Sequence, residues 1–139
     1  MNARTYAGHL IRRLHQQSTQ VFQTQTAHFD LTSVQFAALD SIAQQPGIDQ
    51  ASLATAIAFD RATIGGVLER LERKGLLLRA VSPQDRRARL LTLTAAGEQL
   101  LADCRPVVKA LQNDILARLT PAERRKFLAL AHKALGLDG

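Results

Sequence analysis

A predicted β-hairpin that follows directly on a helix is the feature that most narrows the folds open to this chain. Residues 61–74 carry apolar side chains at helical spacing, and Gly75 stands where a glycine commonly ends a helix. Two runs of strand-forming residues follow, 76–81 and 88–93, and only the polar segment 82–87 separates them. Runs this close together predict two antiparallel strands joined by a turn.

Helical periodicity predicts α-helices over most of the chain on either side of this hairpin. Thr32 and Thr120 begin capping-box patterns, and Asp49, Asp60 and Thr94 are placed to cap further helices. The predicted helices cover about residues 4–29, 33–45, 50–58, 61–74, 95–119 and 121–137.

The order of these elements predicts the fold class. Two helices joined by a short turn and followed at once by a hairpin make a winged helix-turn-helix, whose second helix is placed to enter the major groove of DNA. We therefore predict a single domain over 1–139, mainly α with a small β-wing. The winged helix-turn-helix covers about 32–93, and helices at about 4–29 and 95–137 flank it.

Positive charge is concentrated in the part of the chain that is predicted to meet DNA. The net charge is +6, and residues 61–89 hold eight Lys or Arg against three Asp or Glu. Residues 1–60, by contrast, hold three against four. A surface that faces a polyanion needs such a concentration, and an ordinary basic face is the alternative.

The sequence lacks the features that membrane, enzymatic and metal-dependent functions need. No apolar run approaches the ~20 residues of a membrane span and no signal-peptide core is present, so we expect a cytoplasmic protein without membrane contact. We expect no enzyme activity, because no phosphate-binding glycine loop, nucleophile elbow or catalytically spaced acid pair occurs. No cofactor or metal is predicted, since the histidines are scattered and only His28 and Asp30 lie close together.

The single cysteine, Cys104, excludes an intrachain disulfide and agrees with a reducing compartment. Arg105 beside it can lower the pKa of the thiol, which would favour a reactive role. The alternative is that Cys104 is a small side chain packed in the core.

Three motifs around the predicted hairpin resemble the signature of MarR-type regulators. Residues 68–76 are Leu-Glu-Arg-Leu-Glu-Arg-Lys-Gly-Leu, residues 82–87 are Ser-Pro-Gln-Asp-Arg-Arg, and residues 93–97 are Leu-Thr-Ala-Ala-Gly. Their order and spacing match the family's helix end, D-x-R wing and L-T-x-x-G helix entry, although Glu69 stands where the family more often has Asp. The resemblance covers essentially the whole chain. It implies an obligate homodimer, in which the first and last two helices interleave and two winged lobes bind a pseudo-palindromic operator in double-stranded DNA.

The resemblance implies that the helix beginning at Arg61 reads the major groove and that the wing enters the minor groove. Arginine on a thin hairpin suits a narrow minor groove, where the negative potential is enhanced. We expect Asp85 to pair with Arg87 or Arg89 and hold the shape of the wing, and Pro83 to stiffen its turn; a merely soluble turn is the alternative. The predicted DNA contacts are Arg61, Ala62, Thr63, Gly65, Gly66, Arg70, Arg86, Arg87 and Arg89.

Two predicted helices contain residues that oppose helix formation. Gly65 and Gly66 each cost roughly 1 kcal/mol relative to alanine. We interpret them as allowing the helix backbone to approach DNA closely, with tight packing against a neighbouring helix as the alternative. Pro106 is expected to kink or split the long helix, because proline removes a backbone donor. Arg73 and Lys74 are expected at the solvated end of the reading helix.

Members of this family often bind small aromatic acids between the dimer region and the DNA lobe, and the first predicted helix offers a candidate site. A polar flank beside its apolar face carries Tyr6, Arg13 and Gln17, and Arg13 suits a carboxylate through its planar fork. The alternative is that Arg13 forms a salt bridge across the dimer. His9, further round the helix, is a weaker candidate donor, and two aromatic residues, Phe36 and Phe59, are predicted as apolar walls.

The effector class rests on a further resemblance. The run His9-Leu10-Ile11-Arg12-Arg13 resembles the start of family members that control aromatic-acid catabolism, including hydroxybenzoate- and nicotinate-type pathways. It implies an aromatic or pyridine carboxylate as the small-molecule partner.

These patterns together predict a homodimeric repressor of a catabolic or efflux operon, released from its operator by such an acid. One alternative is a ligand-independent or architectural DNA-binding protein, which the wing and the basic segment fit equally well. Another is a helical interaction module whose basic segment binds acidic partners.

Overall fold

Six α-helices and three short β-strands make up residues 2–137, the part of the chain that the computed structural model describes. The helices are α1 (Ala7–Thr26), α2 (Ser33–Gln44), α3 (Gln50–Ala56), α4 (Arg61–Arg73), α5 (Ala95–Ile115) and α6 (Pro121–Ala134). The strands are β1 (Ile48–Asp49), β2 (Leu77–Val81) and β3 (Arg89–Leu93). The mainly helical class with a small β-wing is therefore confirmed.

Side-chain caps fix the starts of five helices at the predicted residues. Thr32 and Thr120 each complete a full capping box at the starts of α2 and α6. Asp49, Asp60 and Thr94 each accept a hydrogen bond from the backbone N–H three residues further on. These acceptors satisfy N–H groups that have no partner within the helix.

Several helices end earlier than the sequence-based bounds, α1 at Thr26, α5 at Ile115 and α6 at Ala134. The helix α3 stops at Ala56, because the chain turns through Ala58 at a positive φ of 60°. The helix α5 is continuous through Pro106, so the prediction that this proline splits it is wrong. The exposed proline lies beside a buried face, and packing of Cys104 and Val108 holds the helix together across the missing donor.

The sheet has a third strand that sequence patterns do not indicate. Its strand order is β1-β3-β2, and all pairs are antiparallel. Ile48 pairs with Leu91, so the hairpin is tied to the segment that leads into α3. With only two residues, β1 is too short to show the alternation on which strand prediction depends.

The buried core lies mainly in residues 32–93, which we call the lobe. Its helices and strands interlock through apolar side chains that have almost no exposed surface. These residues are Leu39, Ile42, Leu53, Ile64, Leu68, Leu71, Leu77 and Leu91. The helix α5 adds Leu101, Cys104 and Leu111 to the same core, and α1 adds Phe22.

A close contact joins α5 to the lobe. A Cβ added to Gly97 would overlap the backbone carbonyl of Leu76, far inside van der Waals contact. The Thr94 hydroxyl donates to the Gly75 carbonyl oxygen at 2.6 Å, and the Thr94 N–H donates to that of Leu76 at 3.1 Å. The Leu-Thr-x-x-Gly motif is thus explained by the need to bring α5 against the end of α4.

The thiol of Cys104 is fully buried in this core. Burial raises the pKa of the thiol, so the expected lowering by Arg105 does not occur. The Arg105 guanidinium instead contacts Asp40 of α2 at 2.9 Å, and it links α5 to the lobe.

The two ends of the chain leave large apolar side chains exposed. None of the residues of α6 is buried. We call the exposed set the terminal apolar residues: Tyr6, Leu10, Ile11, Leu128, Leu130, Leu135 and Leu137. Among residues 2–137, no single helix is long and apolar enough to cross a membrane; α3 and α4 meet the length and composition criteria only as a pair bent by 110°.

Candidate nucleic-acid interface

The helices α3 and α4 meet at the angle of a helix-turn-helix. Their bend of 110° lies within the range of about 90–120° for that motif. One side of α4 is buried through Ile64, Val67, Leu68 and Leu71. At ~100° per residue, Ala62 and Gly66 lie opposite that buried side, with Arg73 two turns further along. This outward side of α4 is therefore the one available to a groove.

The two glycines of α4 are not required by packing within the described protomer. A Cβ at Gly66 would meet nothing within 4 Å, and one at Gly65 would meet only the Gln50 Nε2 atom at an ordinary 3.4 Å. The alternative of tight packing against a neighbouring helix is therefore wrong. Beyond the exposed Arg61 and Thr63, the start of α4 presents only Ala62 and the two glycines, where an outside molecule can approach the backbone.

The hydroxyl of Thr63, a predicted DNA contact, is already hydrogen-bonded within the protomer. Its hydroxyl donates to Asp60 Oδ2 at 2.9 Å, and its N–H donates to Asp60 Oδ1 at 2.8 Å. The hydrogen bonds from the Thr63 backbone and side chain hold the pKa of Asp60 below its ordinary value. Because its hydroxyl hydrogen is engaged, Thr63 is better suited to apolar contact through its methyl group than to donation towards a phosphate.

Asp85 holds the tip of the wing by pairing with Arg87. Its Oδ1 atom accepts a hydrogen bond from the Arg87 N–H at 3.0 Å and lies 3.6 Å from Arg87 Nε. Of the two predicted pairings, the structure therefore shows the one with Arg87. Arg89 instead donates through Nη1 to the Arg86 carbonyl oxygen at 3.2 Å. The Arg87 side chain is 94% exposed, so the pair leaves most of its surface free.

Ser82 is a wing-shaping residue that the sequence-based prediction does not include. Its buried Oγ accepts hydrogen bonds from the backbone N–H groups of Gln84 and Asp85, at 3.2 and 3.3 Å. Serine hydroxyls commonly stabilise turns in this way, and the Ser82-Pro83 pair at the start of the turn is the signal that could have identified it. The wing is thus held by contacts of Ser82 as well as of Asp85.

A cleft of about 450 Å³ separates the wing from the starts of α3 and α4. It brings together Arg61, Arg87 and Arg89, three of the predicted DNA contacts. The two carboxylates beside them are already engaged, Asp49 with Ser52 and Asp85 with Arg87. The full lining is Asp49, Gln50, Ala51, Arg61, Asp85, Arg87, Ala88 and Arg89. Cationic groups facing one cleft suit the phosphate backbone of a nucleic acid. Arg70 and Arg86 lie exposed outside this lining.

Arg73 and Lys74 are both exposed at the end of α4, as expected, and Lys74 also makes a tertiary contact there. Its Nζ donates to the Asp30 carbonyl oxygen at 2.7 Å and lies 3.3 Å from Asp30 Oδ2. Asp30 belongs to the connection between α1 and α2. Lys74 therefore ties the end of α4 to the α1–α2 connection, whereas Arg73 pairs with Glu69 of its own helix at 3.9 Å.

Two open cavities lie along α1 and share the Arg13 side chain. One, of about 500 Å³, is lined by Leu10, Arg13, Leu14, Gln16, Gln17 and Gln20. The other, of about 510 Å³, is lined by Arg4, His9, Arg12, Arg13 and Gln16. The Gln17 Nε2 donates to the Ile115 carbonyl oxygen at 2.6 Å and so also ties α1 to α5.

The remaining predicted ligand residues lie elsewhere in the protomer. Tyr6 is an exposed residue at the start of α1, and Phe59 is exposed in the turn between α3 and α4. Phe36 packs on Phe22 with ring centroids 6.3 Å apart. None of these three residues lines either cavity. One protomer therefore places Arg13 beside Gln17 in one cavity and beside His9 in the other, without the predicted aromatic walls.

The chain is similar to known transcriptional regulators over nearly its whole length. A family model for the MarR family matches residues 31–88. Transcriptional regulator HosA of Escherichia coli O111:H- is 37% identical over 97% of this chain and 98% of its own length. The HTH-type transcriptional repressor NicR of Pseudomonas putida is 35% identical over 94% of this chain and 83% of its own length. The structure of Bordetella bronchiseptica BpsR, whose DNA binding is regulated by 6-hydroxynicotinic acid, is 32% identical and superposes with a TM-score of 0.91, covering 100% of this chain and 98% of the other.

Proposed function

The chain belongs to the MarR family of transcriptional regulators, and we propose that it acts as a homodimeric repressor released from its operator by a small aromatic or pyridine carboxylate. The observation that carries the DNA-binding part is the arginine-lined cleft between the wing and the bare outward side of α4. The regulated genes would form a catabolic or efflux operon.

The proposed DNA contacts divide between the two grooves. The start of α4 enters the major groove, where Gly65 and Gly66 let its backbone lie close to the bases. The exposed Arg87 at the wing tip enters the minor groove. Arg61 and Arg89 then face the sugar-phosphate strand that runs through the cleft between them.

The homodimer is proposed from the terminal apolar residues. Leu130 is 56% exposed and Leu135 is 72% exposed, and no residue of α6 is fully buried within the described protomer. Exposed apolar side chains on neighbouring turns of a helix mark an interaction surface. A second copy of the chain is the occupant that a pseudo-palindromic operator requires, since two-fold protein symmetry matches the two half-sites.

Arg13 is the proposed anchor for the carboxylate of the effector. It lines both cavities along α1, and the structure records no ion pair for it among residues 2–137. The pyridine or aromatic class is supported by the similarity to NicR and to BpsR, the latter regulated by 6-hydroxynicotinic acid.

The effector would release the protein from DNA by favouring a dimer whose two lobes are spaced differently. A ligand that binds a spacing mismatched to adjacent major grooves, ~34 Å apart, lowers the fraction of protein able to bind the operator. A coupling of about 1–3 kcal/mol gives a change of about 5–150-fold in operator affinity. The contacts Lys74–Asp30 and Arg105–Asp40 are placed to carry such a shift, because each joins the lobe to a terminal helix or its connection.

Fluorescence anisotropy tests this proposal directly. The protein is titrated onto labelled DNA from upstream of its own gene, at physiological salt, with and without a panel of aromatic and pyridine carboxylates. We expect tight binding that one acid weakens. Arg13→Ala should keep operator binding and lose the response, and Arg13→Lys should restore little of it, because lysine lacks the planar fork. A response that survives Arg13→Ala would place the carboxylate elsewhere.

A ligand-independent DNA-binding protein is the second candidate, and the bare side of α4 favours it. A helix with few side chains at the groove offers little direct base recognition. This candidate predicts a ratio of specific to non-specific affinity near unity at physiological salt. A repressor predicts a ratio of about 10³ or more.

A further inference from the structure

The outward side of α4 lacks hydrogen-bonding side chains where a reading helix needs them. Ala62 and Gly66 occupy the middle of this side in the first two turns, with Gly65 and Thr63 on its flanks. Arg61 faces the cleft, the Thr63 hydroxyl is engaged with Asp60, and Glu69 and Arg70 come about one turn later. Bases in the major groove are distinguished chiefly by hydrogen bonds from side-chain donors and acceptors. A sequence-specific lobe built on this helix must therefore take such a group from a neighbouring element.

Gln50, the first residue of α3, places its amide beside this bare surface. Its Nε2 atom lies 3.4 Å from the position that a Cβ of residue 65 would occupy. It lines the same cleft as Arg61 and Arg87. The side-chain hydrogen bonds at this corner use Asp49 and Asp60, and none recorded among residues 2–137 uses the Gln50 amide. The residue is half-buried, so its amide is partly held in place before any ligand arrives.

We propose that Gln50 supplies the base-reading group that Gly65 lacks, and that its amide recognises an adenine in the major groove. A carboxamide presents a donor and an acceptor side by side, which match N7 and the N6 amino group of adenine. Arg61 and Arg89, which line the same cleft, take phosphates and fix the register of the amide. The inference rests on the proposed function, since it requires α4 to lie in the major groove.

The Gln50 amide rests on the surface of α4 at residue 65. Its Nε2 atom lies at an ordinary van der Waals distance of 3.4 Å from the Cβ position of Gly65. The Cβ position of Gly66 is open, so the helix backbone there stays accessible to DNA. The amide and the exposed backbone thus lie side by side on the surface that faces the groove.

Selection from random-sequence duplexes tests the assignment. The preferred base pair at each position is determined for the wild type, and affinities are then measured for all four base pairs at each position of the enriched site. Gln50→Ala should lose about 5- to 150-fold of discrimination at one base pair in each half-site and leave the other positions unchanged. Gln50→Glu should move the preference at that position from adenine to cytosine, because a carboxylate accepts from the cytosine N4 amino group.

Gln99→Ala is the matched control, since it removes an exposed glutamine amide from α5, outside the lobe. Circular dichroism of each variant checks that the helices are retained. Equal weakening on every sequence would show that Gln50 contacts phosphate, and unchanged preferences would show no contact; either result contradicts the inference alone. A wild-type protein that enriches no sequence would contradict the proposed function as well.

Discussion

In the lobe, Leu39, Ile42 and Leu68 have no exposed surface, whereas the final helix buries none of its residues. The lobe closes its core with side chains from the same chain, and its cleft carries Arg61, Arg87 and Arg89, although Phe59, Leu78 and Val81 are also exposed on it. The two ends of the chain instead expose leucines, isoleucine and tyrosine to solvent. The difference indicates that the lobe needs a partner only for function, while the terminal helices need one to complete their packing.

Besides the shared core packing of Phe22, Leu101, Cys104 and Leu111, three specific contacts join these unequal regions. They are the close approach of Gly97 to Leu76, the pair of Arg105 with Asp40, and the pair of Lys74 with Asp30. A ligand bound along α1 can act on the lobe through these contacts or through the core packing. A substitution at a junction tests whether the lobe and the terminal helices are coupled, and a substitution within the lobe tests the lobe alone.

The largest effect is expected for Gly97→Ala, which cuts the junction between α5 and the lobe. The new Cβ would overlap the Leu76 carbonyl group, and neither backbone segment can move freely. We expect the free energy of unfolding to fall by about 3 kcal/mol, at the upper end of the range for overpacking. Denaturant unfolding measures this change. A variant as stable as the wild type would show that α5 is not held against Leu76.

Arg87→Ala tests whether the lobe binds DNA through its wing. We expect operator affinity to fall roughly tenfold and the slope of log K against log salt to become shallower by about one per wing, because one phosphate-region contact is lost. Stability should not change, since the side chain is almost wholly exposed. Arg118→Ala, which removes the same charge from an exposed position after α5, is the control. Equal operator affinities for the two variants would show that Arg87 does not bring the wing into contact with DNA.

Gly66→Ala separates folding from binding within the lobe. Because a Cβ there meets nothing within 4 Å, alanine should raise the free energy of unfolding by about 1 kcal/mol through its higher helix propensity. The same methyl group should weaken operator binding by holding the helix away from the bases. Thermal unfolding and anisotropy measure the two effects. A variant that gains stability and keeps full affinity would show that DNA does not approach this turn.

The smallest effect is expected at the cap of α4, as a dependence of stability on pH. Hydrogen bonds from Thr63 hold the pKa of Asp60 below its ordinary value, so the folded state binds this proton less readily than the unfolded state. The stabilisation is present above about pH 4 and is lost as the pH falls through the lowered value. Asp60→Asn keeps a capping oxygen without a titrating group. Its stability should fall less on acidification, and parallel unfolding curves against pH would contradict the assignment.

Local chemistry made much of the lobe predictable. The caps at Thr32, Asp49 and Asp60 lie where short sequence patterns place them, because each depends on residues only three apart. The wing followed from two strand-forming runs with a polar turn between them. The pairing of Asp85 with Arg87 is equally local.

Contacts between distant residues were not predictable in the same way. The sequence gives no sign that Lys74 meets Asp30, or that the Gln17 amide donates to the Ile115 carbonyl oxygen. Helical periodicity places Gln17 on a polar flank but does not say which helix faces that flank. The exposure of Phe59 and the packing of Phe36 on Phe22 were not predicted for the same reason. A helical wheel orders the residues of one helix and does not locate residues on other elements.

Sedimentation velocity tests the contrast between the two regions most directly. At micromolar concentration we predict a species of twice the 15.2 kDa chain mass. The double substitution Ile11→Glu with Leu130→Glu should give a folded monomer of one chain mass. Both side chains are exposed within one chain, so their replacement should change the stability of the protomer little. A wild-type protein that sediments as a single chain and still binds its operator tightly would contradict the account.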